Sequence, residues 1–269
     1  MIIVKEEVKN KIRSWNDSTI HVLTDFDRTL TLGTTDSLWK MISKSNMVPK
    51  EYIEARNTLF NYYRPYEIDE TLDLEKRSKL MSEWWRKHVN LLIKYKLSES
   101  AVKDVINNSG MMRFRDDAKE FLQGMKKRNI PVIIISAGIG NFIKQFLVMN
   151  ECYYDNVYIV SNFIEFKDGL ATGISGNVIH SMNKNEASLP EPIKKVISER
   201  PNIILLGDVV SDVLMAKEKE RRNALKIGFL NDSMKENVGV FKDNFDVICT
   251  KETNYYDLSS LYIVIITAF

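Results

Sequence analysis

Four short apolar runs constrain this chain more than anything else in it: Ile20–Thr24, 132–135, 157–160 and 203–206. Each is continuous and rich in Ile and Val, without the alternation of a half-exposed strand, which is how strands buried on both faces read. Helical patterns lie between them at 117–128, 141–150 and 190–199. Strand and helix therefore alternate, and that order predicts an α/β fold: a parallel sheet with helices on both faces. A chain of 269 residues, 44% hydrophobic and 28% charged, is long enough and apolar enough to bury such a core.

Two segments interrupt the alternation. Residues 34–109 contain no buried run and read as helices, including one over 75–95. They are expected to form a helical cap inserted after the first strand, leaving residues 1–33 and 110–269 for the α/β core. Residues 163–166, the turn Lys167-Asp168-Gly169 and the stretch 173–179 read as a hairpin. The formal net charge of +2 supplies no attraction for nucleic acid or an anionic membrane. Cys152 and Cys249 make no disulfide framework and have no metal-ligand spacing. Met1-Ile2-Ile3-Val4 is too short for a signal peptide, and the apolar stretch 261–269 is too short to span a membrane. The expectation is a cytoplasmic monomer with neither nucleic acid nor membrane as a partner.

In folds of this class ligands bind beyond the carboxyl ends of the strands. The first run ends in Thr24-Asp25-Phe26-Asp27-Arg28-Thr29, the second in Ser136-Ala137-Gly138-Ile139-Gly140, and the fourth in Gly207-Asp208 with Asp212 beyond. Lys184 lies between the last two runs, in His180-Ser181-Met182-Asn183-Lys184-Asn185. Taken singly, an Asp-x-Asp after a strand is as often a turn, a Ser before Gly a loop, and a lone Lys a solvated charge. In this order, and each at a strand end, they describe one crevice. Carboxylates gathered there call for a hard divalent cation such as Mg²⁺, with Ser136, Lys184 and main-chain amides facing phosphoryl oxygens.

These motifs, DFDRT, Ser136, Lys184 and GDVVSD, resemble those of the haloacid-dehalogenase-like phosphatases, whose core is Rossmann-like with an inserted cap. The stretches YRPYEID, EWWRKHVNLL, IISAGIGNFI, VSNFIEF, HSMNKN, NIILLGD and LKIGFLND are similar to the cytosolic 5′-nucleotidase III family, also called pyrimidine 5′-nucleotidases. The likeness runs from about Ile20 to Val247. It implies that Asp25 is the nucleophile and that Asp27 is the acid and base. Mg²⁺ would be held by Asp25, the main-chain carbonyl of Asp27, and Asp208, with Asp212 orienting that set. Ser136 and Ala137 would contact the phosphate, and Lys184 would balance its charge.

For the cap, the resemblance implies that Glu67 faces the base and that Trp85 stacks on it. His88 falls where pyrimidine-selective members carry a serine, and it reads equally as a ligand contact or as a satisfied half-buried histidine. Met81, Trp84, Trp85, His88 and Leu92 share one helical face, with Trp84 and Leu92 expected in the cap core. Tyr62, Tyr63 and Tyr66 are expected to pack within the cap, and His21 and His180 to be structural. GDVVSD departs from the commoner GDSxGD at Val209 and Ser211, but both acidic positions remain. The implied activity is Mg²⁺-dependent hydrolysis of nucleoside 5′-monophosphates, pyrimidine ones first. The alternatives are a preference for 7-methylguanosine monophosphate, a smaller monoester such as phosphoserine, transfer to a nucleoside acceptor, or a catalytically silent nucleotide-binding module.

Overall fold

The computed structural model describes residues 2–5, 7–69, 71–108, 112–186, 189–231 and 238–250. The chain opens with β1 (Ile2–Val4), α1 (Val8–Ile12) and β2 (Ile20–Thr24), then enters four helices: α2 (Leu38–Ile42), α3 (Lys50–Ile68), α4 (Leu74–Lys94) and α5 (Glu99–Asn108). It returns through α6 (Ala118–Lys127), β3 (Val132–Ile139), α7 (Gly140–Met149) and β4 (Val157–Asn162), followed by the hairpin β5 (Ile164–Lys167) and β6 (Leu170–Ile174). Next come α8 (Glu191–Ile197), β7 (Asn202–Gly207), a 3₁₀ helix (Val210–Met215), α9 (Glu218–Arg221), β8 (Leu225–Leu230), α10 (Val238–Asn244) and β9 (Val247–Thr250).

Seven strands form one sheet in the order β1-β9-β8-β7-β2-β3-β4. Six of these are parallel, and β1 joins antiparallel to β9, Ile2 opposite Cys249. The amino-terminal apolar stretch is thus an edge strand. The stretch 261–269 lies outside the described residues. Both faces of the sheet are covered: Val22, Val132, Ile134, Ile204 and Leu206 belong to one apolar cluster, and Leu23, Ile133, Ile135, Ile203 and Leu205 to another. That is why the central runs are mostly apolar, with His21 and Thr24 the buried polar exceptions, whereas 157–160 forms the edge strand β4 and, contrary to expectation, is only partly buried.

β2 forms over the expected residues, while β3 is longer than expected. It continues through Ser136-Ala137-Gly138 to Ile139, with its register against β4 shifted between Ile135 and Ile139. The side chains of Ser161 and Asn162 take up the carbonyls of Ala137 and Gly138 at 3.0–3.2 Å, so the strand end is bulged rather than released as a loop. The hairpin's second strand begins at Leu170, earlier than expected. β8 was not legible as a strand, because Lys226 and Gly228 interrupt its apolar run, and β9 was missed although it is as long as the runs that were read.

From β2 the chain winds outward through β3 and β4, then crosses back to β7 and winds the other way through β8 and β9. The reversal leaves a crevice at the carboxyl end of β2, between β3 and β7, the position where open α/β sheets bind ligands. Helices α2 to α5 lie over it. Leu38, Trp39, Tyr52, Tyr63, Trp84 and Trp85 share one apolar cluster with Val22 and Ile134, so the cap is packed onto the core. The hairpin supports the cap from the side, through Ala171 N–H to the Leu97 carbonyl at 2.8 Å and Glu99 N–H to the Gly169 carbonyl at 2.9 Å. No helix among the described residues is long and apolar enough to cross a membrane, and Cys152 and Cys249 are both buried and not disulfide-bonded.

Candidate active site

Asp25 is the first residue beyond β2, and its N–H still donates to Leu206 of β7, at 3.0 Å. The chain then turns sharply: Thr29, Leu30 and Thr31 all donate to the Phe26 carbonyl, at 3.1–3.3 Å, and Arg28 takes a left-handed conformation with φ 60°. Such a φ is costly for an arginine unless its surroundings hold it. Here Arg115 donates to the carbonyls of Thr29, at 3.0 Å, and of Arg28, while Asn231 donates to the Arg28 carbonyl at 3.3 Å. The turn brings both carboxylates of Asp25-Phe26-Asp27 to the crevice.

Asp25, Asp208 and Asp212 present carboxylate oxygens within 4.8 Å of one another. Lys184 reaches in between, 2.6 Å from Asp25 Oδ1 and 2.9 Å from Asp212 Oδ1. Burial alone would lower the Lys184 ammonium, but Asp212 and Asp25 hold it well above its ordinary value. Asp212 Oδ2 accepts from the amides of Asp208 and Val209, at 3.1 and 3.2 Å. It is therefore tied to the main chain that presents Asp208. A Cβ on Gly207 would lie 2.4 Å from the Asp212 Cβ, so only glycine lets this carboxylate come so close.

One ammonium does not balance these acids. Burial, with Asp212 and Asp25 nearby, raises Asp208 well above the usual carboxylate range. Burial also raises Asp25, to about 6 against the pull of Lys184. Three buried oxygen donors with surplus negative charge fit a hard divalent cation. Asp27 stands apart from that set. Its Oδ2 accepts from Leu38 N–H at 3.4 Å, and its Oδ1 is sealed from solvent without a partner. Burial, then the adjacent Asp25, raises its carboxyl to about 7.

Ser136 and Ala137 form the opposite wall. Ser136 Oγ accepts from Gly138 N–H at 3.0 Å, and the Ala137 carbonyl accepts from two indoles, Trp39 at 2.8 Å and Trp85 at 3.1 Å. Cap aromatics are thereby bonded to the segment expected to hold phosphate.

Above this floor a cavity of about 300 Å³ opens, lined by Asp25, Asp27, Ser136, Ala137, Lys184 and Asp208 below and by cap residues above. α3 contributes Arg56, Phe60, Arg64 and Glu67, whose spacings of four, four and three place them on one face. α4 begins on Asp73, which caps Lys76 N–H at 2.9 Å, and contributes Trp84, Trp85 and His88. Glu67 pairs with Arg64 and accepts from Ser181 Oγ at 2.8 Å. His88 packs on Trp39 with ring centroids 4.4 Å apart and shares a 3.2 Å hydrogen bond with the Tyr52 hydroxyl. Burial and the Arg56 charge lower His88 to about 3, so it is neutral.

All the residues expected from the sequence except Asp212 line the cavity, and Asp212 lies directly behind. Trp84 lines it as well as stacking on Tyr63, which corrects its assignment to the cap core alone. Among the tyrosines, Tyr63 is buried and Tyr62 exposed, and none of the three lines the cavity. His180 joins the core to the cap through Ser82 Oγ at 2.9 Å, and His21 bonds the Arg200 carbonyl at 2.6 Å. Sequence reading missed Trp39, Arg56, Phe60 and Arg64. The last three could have been found by stepping back along the helix from Glu67. Trp39 sits in a five-residue helix, too short to show a period.

Residues 28–261 match the family described as Pyrimidine 5′-nucleotidase (UMPH-1). The chain belongs to that family. It is 32% identical over 250 residues to a protein of Xenopus laevis named 7-methylguanosine phosphate-specific 5′-nucleotidase A, covering 90% of this chain and 86% of that one. Its fold matches the crystal structure of cytosolic 5′-nucleotidase IIIB bound to cytidine with a TM-score of 0.85, at 26% identity and covering 99% and 94% of the two chains. Substrate-bound phosphoserine phosphatase, at 20% identity, a TM-score of 0.53 and coverages of 92% and 98%, shares the fold. This pyrimidine 5′-nucleotidase family member is thus a 5′-nucleotidase on the haloacid-dehalogenase-like α/β fold, and the acidic set beside Lys184 is where a divalent cation fits.

Proposed function

We propose that the chain is a cytoplasmic, monomeric, Mg²⁺-dependent enzyme that hydrolyses nucleoside 5′-monophosphates through a phosphorylated Asp25. One observation carries this reading: two neighbouring carboxyls in one crevice are in different electrostatic states. Asp25 Oδ1 lies 2.6 Å from the Lys184 ammonium, whereas Asp27 forms no ion pair among the described residues, its Oδ1 is sealed without a partner, and burial raises its carboxyl to about 7. The carboxylate paired with lysine is the one stabilised as an anion for attack, and the buried, unpaired carboxyl is the one able to hold a proton.

The chemistry follows from those states. Asp25 attacks phosphorus while Asp27 gives its proton to the departing ribose oxygen, so the nucleoside leaves as a neutral alcohol. Asp27, now a carboxylate, takes a proton from water. The resulting oxygen attacks the phosphoryl group on Asp25, which returns to a carboxylate as phosphate leaves. Lys184 neutralises Asp25 and the transferring group, and Asp212 holds Lys184 and the Asp208 segment in place. Ser136 and Ala137 receive phosphoryl oxygens. Asp25, Asp208 and the main chain of Asp27 would hold Mg²⁺, which supplies the positive charge that this site lacks.

For the base, we put 7-methylguanosine 5′-monophosphate first. A cationic methylated purine is attracted both to indole faces and to a carboxylate, and the cavity offers Trp39, Trp84 and Trp85 with Glu67. The first-mentioned relative bears that specificity in its name. CMP and UMP are the second reading, supported by the cytidine-bound relative of the same fold. Phosphate release from 7-methylguanosine monophosphate, CMP, UMP, AMP and phosphoserine, with Mg²⁺ and with excess chelator, tests the whole. Nucleotide turnover that requires Mg²⁺ is expected; a preference for phosphoserine, or full turnover in chelator, refutes it. Gel filtration at the monomer's size and recovery in the cytosolic fraction are the matching expectations for its state and location.

A further inference from the structure

Arg56 is a buried cation that no carboxylate among the described residues pairs with. Its side chain is on the inward face of α3, with 9% of the residue's surface exposed, and it lines the cavity. Nη1 donates to Asn57 Oδ1 at 2.9 Å, and the guanidinium lies over the Phe60 ring, 5.5 Å from its centroid. Nε is sealed from solvent without a partner, and no carboxylate among the described residues forms an ion pair with Arg56. Leaving a buried arginine unpaired is unfavourable, because its fork of donors has lost water and gained little. The same α3 face carries the opposite element: Glu67, which can only accept. A flat ligand between them is bound best if one edge offers a donor to Glu67 and another an acceptor to Arg56.

We propose that Arg56 is a specificity residue that donates to a carbonyl oxygen on the nucleobase, and so selects carbonyl-bearing bases over adenine. This rests on the reading of the cavity as a nucleoside monophosphate site. Guanine, 7-methylguanine, hypoxanthine, cytosine and uracil all carry a ring carbonyl together with an N–H donor; adenine has donors but no carbonyl. Adenine offers ring nitrogens but presents an amino group where hypoxanthine and guanine present the six-carbonyl, so a guanidinium directed at that position meets a donor, and a site built around a hydrogen bond rejects an analogue that cannot make it.

Inosine and adenosine 5′-monophosphates isolate the effect, since at the six-position one has a carbonyl and the other an amino group. The measurement is kcat/KM for this pair, for 7-methylguanosine monophosphate and for para-nitrophenyl phosphate, in wild type and Arg56→Met, with melting temperatures. Wild type should favour inosine monophosphate over adenosine monophosphate. In Arg56→Met that ratio should fall on the order of 10- to 100-fold, the worth of a hydrogen bond to a charged group. The 7-methylguanosine nucleotide should lose similarly relative to para-nitrophenyl phosphate. The melting temperature should not fall, because an unpaired buried charge has been removed. If Arg56→Met does not fold, Arg56→Leu, which likewise lacks any donor, carries the same comparison. An unchanged inosine-to-adenosine ratio overturns this assignment alone, whether both nucleotides fall together or neither does. Wild type that hydrolyses para-nitrophenyl phosphate but no nucleotide overturns the nucleotide reading and this assignment with it.

Discussion

Replacing Asp27 by Asn should stabilise the cation-free protein while disabling it, and the gain should depend on pH. An Asp carboxyl ordinarily titrates near 3.8, and burial beside Asp25 raises that of Asp27 to about 7. The residue as a whole is half-buried, but its Oδ1 is sealed from water. Because the folded-state value lies above the unfolded one, folding takes up a proton between them. Stability is therefore intact below 3.8 and is lost as pH rises towards about 7. At 1.36 kcal/mol per unit, the loss is about 2 kcal/mol at pH 5 and about 4 kcal/mol from pH 7 upward. Asn cannot ionise, and its carbonyl can still accept from Leu38. The variant should exceed wild type by about 2 kcal/mol more at pH 8 than at pH 5. Urea unfolding of both proteins in chelator at pH 5, 6, 7 and 8 measures this, and histidine titrations common to both cancel. A stability difference that is constant with pH, or that shrinks towards pH 8, refutes the argument. Turnover should meanwhile fall about 10²–10⁴-fold, the usual contribution of a positioned acid and base.

Three further outcomes follow from the same geometry. Asp25→Asn should form no phosphoenzyme in rapid-quench labelling, because an amide is a poor nucleophile; a labelled covalent intermediate in this variant would place the nucleophile elsewhere. Trp85→Ala should lower kcat/KM for nucleotides by the equivalent of about 1–3 kcal/mol of stacking, more than for para-nitrophenyl phosphate. The Ala137 carbonyl keeps its bonds from Trp39 and Asn162, so an equal loss on both substrates would make Trp85 structural only. Gly207→Ala should weaken Mg²⁺ binding in calorimetry with far-UV dichroism unchanged, since the new Cβ would lie 2.4 Å from the Asp212 Cβ and displace the carboxylate that holds Lys184; wild-type Mg²⁺ affinity would show that Asp212 does not organise the set.

The sequence by itself determined the centre of the fold and the floor of the site. Runs such as Ile20–Thr24 are buried at every position, and mostly apolar, because both faces of the sheet are covered, and that demand is local enough to read in a few consecutive residues. Asp25, Asp27, Ser136 and Asp208 were legible for a related reason: ligands gather at strand ends, so finding the strands locates the chemistry, whereas Lys184, in a loop, was legible only in their company. Other features only the tertiary structure decided. Ser136-Ala137-Gly138 became a bulged strand end because Ser161 and Asn162, on the neighbouring strand, hold its carbonyls. Trp39 reached the cavity because its indole N–H found the Ala137 carbonyl, 98 residues away. Trp84 faces both Tyr63 and the cavity, which helical spacing cannot distinguish. The lack of an ion pair on Arg56 among the described residues and the raised carboxyl of Asp27 arise from what surrounds them, and burial is a property of the folded whole.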